Sequence, residues 1–322
     1  MRIGIPRALL YYKYFPLWST FLTELGQDVV LSDVTNRDTI KCGVEQADND
    51  VCVPVKVFYG HVLEFKNKVD AILIPRVVST EEKTYTCPKF MGLPDMIEAL
   101  DQDMPPVISP SFNLRLGFRE YYGAFRELSR KFSDSSFKFL KAYSRAHQAL
   151  NKHHHQLLKG FVSYEQASSG SQAQKPEASD YKIGVLGHPY NIYDPFISMN
   201  LIERLKRKGI KVVTNEMVSP KVVRREEASL PKTLFWSYEK EIIGTAFNWL
   251  RTRKVDGIIY VLSFACGPDS LIQVLIEQEG KMNEDIPIMS LVIDEHSAET
   301  GLVTRLEAFI DMLTRRKKPS LN

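Results

Sequence analysis

Short apolar, β-branched runs alternate along this chain with longer stretches whose apolar residues recur at helical spacing, and the alternation occurs twice. The first run, Arg2-Ile3-Gly4-Ile5-Pro6, has a counterpart in Lys182-Ile183-Gly184-Val185-Leu186. Each reads as a buried strand that leads through aromatic and proline residues (Tyr11 to Pro16; Tyr190 to Pro195) into a helix-period segment. Those helices are expected to stop at Gly26 and Gly209, because glycine at a helix end accepts the left-handed conformation. Second strands follow at Asp28–Leu31 and Ile210–Val213. Third strands begin at Lys68-Val69-Asp70 and Lys254-Val255-Asp256, and fourth strands at Pro106–Ser109 and Pro287–Ser290. Strands alternating with helices imply a parallel sheet covered on both faces. The expected fold class is therefore α/β, with two doubly wound, Rossmann-like parallel-sheet domains.

Between the repeats, Ser168 to Pro176 is small, polar and without period, as a flexible linker is. The expected organisation is an N-terminal domain over residues 1–162, a linker over 163–180 and a C-terminal domain over 181–322. Residues 113–162 read as a helical extension rich in Arg, Lys, Leu and Phe. It contains His153-His154-His155, which consecutive helical positions point in different directions, so the triplet reads as a surface helix rather than a metal site.

Composition narrows the class. The 322 residues are 44% apolar and 25% charged, as in ordinary globular proteins, and are long enough for two cores. A net charge of +3 is too small to suggest a nucleic-acid partner, and Arg315 to Lys318 reads as a solvated helix end. The start, Met1 to Arg7, has no leader-like apolar run, and no stretch reaches the roughly 18 apolar residues of a membrane span. Four cysteines without a secretion signal point to a reducing, cytoplasmic setting and to thiol or metal chemistry.

Three of those cysteines share a context: Cys52 in CVPVK, Cys87 in CPKFMGLPD and Cys266 in SFACGPDS, each with proline beside it or two residues on. Ligands of open parallel sheets bind beyond the carboxyl ends of the strands. Cys87 is expected on the loop after an Ile72–Val78 strand, and Cys266 just after an Ile258–Leu262 strand, at equivalent edges of the two sheets. Cys52 is expected ahead of a helix from Val57 to Lys66, where a helix N-terminus lowers a thiol pKa. Buried, inert cysteine is the competing reading, and it is the preferred one for Cys42, which lacks a flanking proline. Structural zinc favours C-x2-C pairs, and none occurs. Three distant thiols fit an iron–sulfur cluster with one iron incompletely held by protein. Neither G-x-G-x-x-G nor a P-loop is present, so the chain shows no nucleotide site.

Other polar residues fall near the same crevice. His188, in GHPYNIYD, reads equally as a proton donor and as a turn-stabilising residue, and Tyr193 in that loop is a weaker candidate for lining the cavity. His61 competes with an ordinary core role. Asp294-Glu295-His296, after the last strand, is the best general acid/base candidate, with Glu295 and His296 set against a helix-capping reading.

IGIPRALLYY, CVPVK with GHV, KVDAILIPRVVS, CPKFMGLPDMI, GHPYNIYD, SFACGPDS and DEHSAETGLVTRLEAFIDML occur in that order over nearly the whole chain. This set resembles stand-alone proteins related to the cluster-bearing subunits of 2-hydroxyacyl-CoA dehydratases and benzoyl-CoA reductases. The same domain also occurs joined to the activases of those enzymes, and the double-cubane cluster proteins are more distant relatives. The resemblance implies a [4Fe-4S] cluster held in the interdomain cleft by Cys52, Cys87 and Cys266, and anaerobic, low-potential electron transfer. It further implies an ATP-hydrolysing activase as electron donor, a small-molecule or acyl-CoA substrate, and a homodimer. Four cysteines in one chain are too few for a double cubane. The leading expectation is a reductase- or dehydratase-like component; a non-catalytic cluster carrier or scaffold and a zinc-stabilised binding module are the alternatives.

Overall fold

The structure, a computed structural model, describes residues 1–100, 103–160 and 181–317. The expected linker at 163–180 thus lies wholly outside the described residues. The first half runs β1 (Arg2–Ile5), α1 (Tyr11–Glu24), β2 (Asp28–Leu31), α2 (Arg37–Gln46), α3 (Val53–Leu63), β3 (Ala71–Leu73), β4 (Arg76–Ser79), α4 (Pro88–Glu98), β5 (Val107–Ile108), β6 (Ser111–Asn113), α5 (Phe118–Arg130) and α6 (Ser136–Leu158). The second runs β7 (Lys182–Gly187), α7 (Pro189–Ile192), α8 (Leu201–Arg207), β8 (Lys211–Thr214), α9 (Pro220–Glu227), α10 (Ser237–Thr252), β9 (Gly257–Ser263), α11 (Gly267–Met282), β10 (Ile288–Ile293) and α12 (Glu299–Lys317).

The protein is α/β with parallel sheets. Strand order is β2-β1-β3-β5 in one four-stranded sheet and β8-β7-β9-β10 in the other, so the two have the same topology. Ile3 pairs with Val29 and Ala71, and its counterpart Ile183 with Val212 and Gly257. Gly26 and Gly209 follow the helices at φ +82° and +72°, the conformation that ends them. Each central strand also carries a glycine under an aromatic ring. A Cβ on Gly4 would lie 3.0 Å from Phe65, and one on Gly184 would lie 2.4 Å from Trp249.

Three expectations are corrected. The Ile72–Val78 strand is two strands, β3 and β4, because Pro75 between them has no N–H to continue the ladder; β4 pairs with β6 in a separate two-stranded sheet. Residues 113–162 do not begin as helix: Leu114–Leu116 is a single 3-10 turn, and Gly117 at φ +95° redirects the chain into α5. The histidine triplet is not all at the surface. Phe139, Ala142, Ala146, His153 and Leu157 form one buried stripe of α6 at helical spacing, and α6 packs along α1.

One apolar cluster joins both halves, from Ile3 and Trp18 to Ile183, Val261 and Phe309. A smaller one, around Trp249, Tyr260 and Ile272, belongs to the second half. Contact between α2 and α3 is close enough that a Cβ on Gly43 would meet the Lys56 carbonyl oxygen at 1.8 Å, and one on Gly60 the Thr39 carbonyl at 1.9 Å. That contact fixes α3, and with it Cys52 at its start.

Candidate functional site

Each of the three proline-flanked cysteines is the N-cap residue of a helix: Cys52 of α3, Cys87 of α4 and Cys266 of α11. All three helices carry proline in the first turn, where its fixed φ suits the helix and its missing N–H costs nothing. The helix after Cys52 therefore begins at Val53, not at the expected Val57, because Val53-Pro54 is itself the first turn. His188 repeats the arrangement as N-cap of the one-turn α7, ahead of Pro189.

The three thiols are partly buried and near enough to act on one another's charge. Burial pushes the Cys52 thiol up to about 11. Cys87 is raised for the same reason, and Cys266 is raised most, by burial and then by the Asp269 carboxylate. No sulfur makes a capping hydrogen bond of ordinary geometry. The amides of Val55, Lys89 and Asp269 nevertheless favour the thiolates, as does the Lys89 ammonium at Cys52 and Cys87. Without added positive charge the three sulfurs rest as thiols; a cation among them would be needed to hold all three ionised. Cys42 stands apart, exposed on α2.

Behind Cys266 lies a buried charged group that the sequence did not reveal. His188 Nε2 is 3.3 Å from Asp269 Oδ1 and 3.7 Å from Glu239 Oε1. His188, Cys266 and Asp269 each offer a ligand atom within 4.8 Å of the others. Burial alone would favour neutral imidazole, but Asp269 and then Glu239 outweigh it and raise the His188 pKa. Glu239 is itself raised to about 7, by burial first and by repulsion from Asp269, with His188 opposing. The Tyr260 hydroxyl donates to Asp269 Oδ1 at 3.0 Å, whereas Asp269 Oδ2 and Glu239 Oε2 have no hydrogen-bond partner among the described residues. Tyr190 stacks on His188, with ring centroids 4.9 Å apart, and feels the charge of all three cysteines.

The remaining candidates are engaged elsewhere. Glu295 Oε1 accepts from Lys56 Nζ at 2.5 Å, across the two halves, on the helix that Cys52 caps. His296 is exposed, and its backbone N–H donates to Asp294 Oδ1 in a local turn. Tyr193 faces away, its hydroxyl 2.8 Å from Thr214 Oγ1. His61 belongs to a second cross-half network. Its Nε2 is 2.9 Å from Thr35 Oγ1, which donates to Asp194 Oδ2 at 2.5 Å, and the Tyr12 hydroxyl donates to the same oxygen at 3.0 Å. Burial, then Arg7, pulls the His61 pKa down to about 3, so this imidazole is neutral and its approach to Glu64 is not an ion pair.

Asp269 had a sequence signal, an acidic residue three positions after a cysteine and next to proline, as in a helix first turn. Glu239, Lys56 and Asp194 had none, because their partners lie 51, 239 and 159–182 positions away.

Solved structures give weak likenesses. A periplasmic solute-binding protein of an ABC transporter from Actinobacillus succinogenes, with bound D-allose, is 12% identical over 99% of this chain and 93% of its own, at a TM-score of 0.22. Nitrogenase Cp1 at pH 5 is 12% identical over 100% of this chain and 59% of its own, at 0.24. Neither score is high enough to bear on the fold. No curated protein matches the chain in sequence. Residues 2–218 match the CoA enzyme activase uncharacterised domain (DUF2229), a span that includes Cys52, Cys87 and His188 and ends before Cys266. The chain belongs to the CoA enzyme activase uncharacterised domain family.

Proposed function

We propose that Cys52, Cys87 and Cys266 hold a [4Fe-4S] cluster in a cleft between two domains, and that the protein receives low-potential electrons from an ATP-hydrolysing activase. It then acts as a 2-hydroxyacyl-CoA dehydratase- or benzoyl-CoA reductase-like component on a small-molecule or acyl-CoA substrate. One observation carries this reading: three cysteines from distant segments cap three helices and act on each other's charge. The donor set suits such a group. Thiolates are its usual protein ligands, and the amides of Val55, Lys89 and Asp269 favour negative charge at the three sulfurs. When bound, the cluster supplies one-electron transfer at an iron open to a small ligand.

The chain's own residues do the rest. Helix N-termini of α3, α4 and α11, with Lys89, stabilise negative charge at the sulfurs. Asp269 and Glu239 favour a proton on His188, whose Nε2 lies 3.3 Å from Asp269 Oδ1 behind Cys266. Tyr190 stacks on His188 and is near enough to feel the charge of all three thiols. Glu295 and His296 are the outer candidates for proton transfer, with Glu295 aligned by Lys56.

Anaerobic purification followed by metal analysis and electron paramagnetic resonance tests the reading. A brown protein with about four irons per chain, reduced only when activase and ATP are both present, is the expected result. A colourless protein with one zinc would replace it with a mononuclear site, for which His188, Cys266 and Asp269 are the nearest mixed donors. A cluster that is reduced but turns over no acyl-CoA would favour the carrier role.

A further inference from the structure

A cavity of about 340 Å³ lies between the halves, and its walls include none of the cysteines. It is formed by α1, the Thr80-Glu81 loop, the end of α6, the α9 region and α10, with Lys13, Tyr14, His154, Glu216, Tyr238 and Glu241 carrying its chemistry. Lys13 Nζ is committed to Glu241 Oε2 at 2.5 Å and stands over the Tyr238 ring, 5.3 Å from its centroid. Glu216 is farther from that ammonium, at 3.8 Å. Its side chain is only 5% exposed, and Oε2 has no hydrogen-bond partner among the described residues. An unpartnered buried carboxylate oxygen is costly, and a donor brought by a ligand would relieve it. His154 adds no cation, since burial and Lys13 hold its pKa near 4.

The sign of the missing partner follows from the walls. Four glutamates face three lysine or arginine side chains, which leaves an excess of one negative charge when Glu216 is ionised and His154 neutral. Tyr14 adds aromatic surface of the kind that accepts organic cations, whereas the Tyr238 ring already carries the Lys13 ammonium. Burial, with repulsion from Glu241, raises the Glu216 pKa to about 7 against the attraction of Lys13 and a hydrogen bond from Tyr193.

We infer that this cavity is a second ligand site, which takes a small organic ammonium ion with Glu216 as its counter-ion. The inference does not depend on the thiols holding a cluster. Titration calorimetry on the full chain, at mildly alkaline pH, compares butylammonium chloride with sodium butyrate as probes. Saturable binding of butylammonium but not of butyrate is expected, weakened about tenfold or more in Glu216→Gln. Leu158→Trp narrows the same cavity from a side chain that is 41% exposed, and should abolish binding with an unchanged melting temperature. Absence of butylammonium binding, equal binding of butyrate, or undiminished binding in either variant would overturn the assignment.

Discussion

The two halves have the same strand order and bring different chemistry to their meeting point. The first contributes Cys52, Cys87 and Lys89: two thiols and a cation. The second contributes Cys266 together with His188, Asp269 and Glu239, and the acids that bear on all three thiols come from this half alone. Both use one local device, a polar residue capping a helix whose first turn contains proline. Two copies of one strand order thus carry different side chains. Neither half holds three thiols, so they come near one another only because the halves are joined, by a shared apolar cluster and by contacts such as Lys56–Glu295 and the Asp194 network.

The sharpest way to break that comparison is to remove thiols one at a time. Cys52→Ser, Cys87→Ser and Cys266→Ser should each abolish iron retention after anaerobic reconstitution, whichever half the residue comes from, while Cys42→Ser keeps it. Equal iron in all four variants would remove the proposed ligand set.

Acid should loosen the contact between the halves next. His61 is lowered from an ordinary 6.5 to about 3 in the folded chain, so the unfolded chain binds the extra proton first. Stability contributed by this residue is complete above 6.5 and falls as pH drops toward 3, by at most about 1.4 kcal/mol per pH unit. Chemical denaturation across that window should show the slope, and His61→Gln should flatten it.

Asp194→Asn tests the same network without a pH change. Asp194 Oδ2 accepts from Tyr12 and Thr35, while Oδ1 accepts from the backbone N–H groups of Phe196 and Ile197. One amide oxygen cannot serve both sets, and a loss of about 2–3 kcal/mol is expected in urea unfolding. An unchanged midpoint would show that the Asp194 network adds nothing to the hold between the halves.

The smallest effect compares sister glycines. Gly184→Ala forces a methyl into Trp249 at 2.4 Å and should cost about 1–3 kcal/mol, whereas Gly4→Ala meets Phe65 at 3.0 Å and should cost less than about 1 kcal/mol. Equal shifts in melting temperature would show that the two sheets yield alike.

Much of the fold was legible because its signals are local. The doubled order of strands and helices, the glycine stops after Leu25 and Lys208, and the proline-flanked loops that carry the cysteines can all be read within a dozen residues. Pro75 was legible too, yet the run Ile72–Val78 reads as one strand until the pairing partners of its two parts are known. His153 shows the same limit: its stripe on α6 is periodic, but only α1 packed against it makes that stripe interior.

The sequence by itself determined an α/β chain with parallel sheets, and which of its cysteines sit in proline-flanked loops. Tertiary structure alone decided that three of these bear on one another, that His188 lies between Asp269 and Glu239, and that Glu295 is committed to Lys56. The reason is physical. Periodicity and turn chemistry act between neighbours in the chain, whereas burial and charge depend on residues that only folding brings near, 239 positions apart in the case of Lys56 and Glu295.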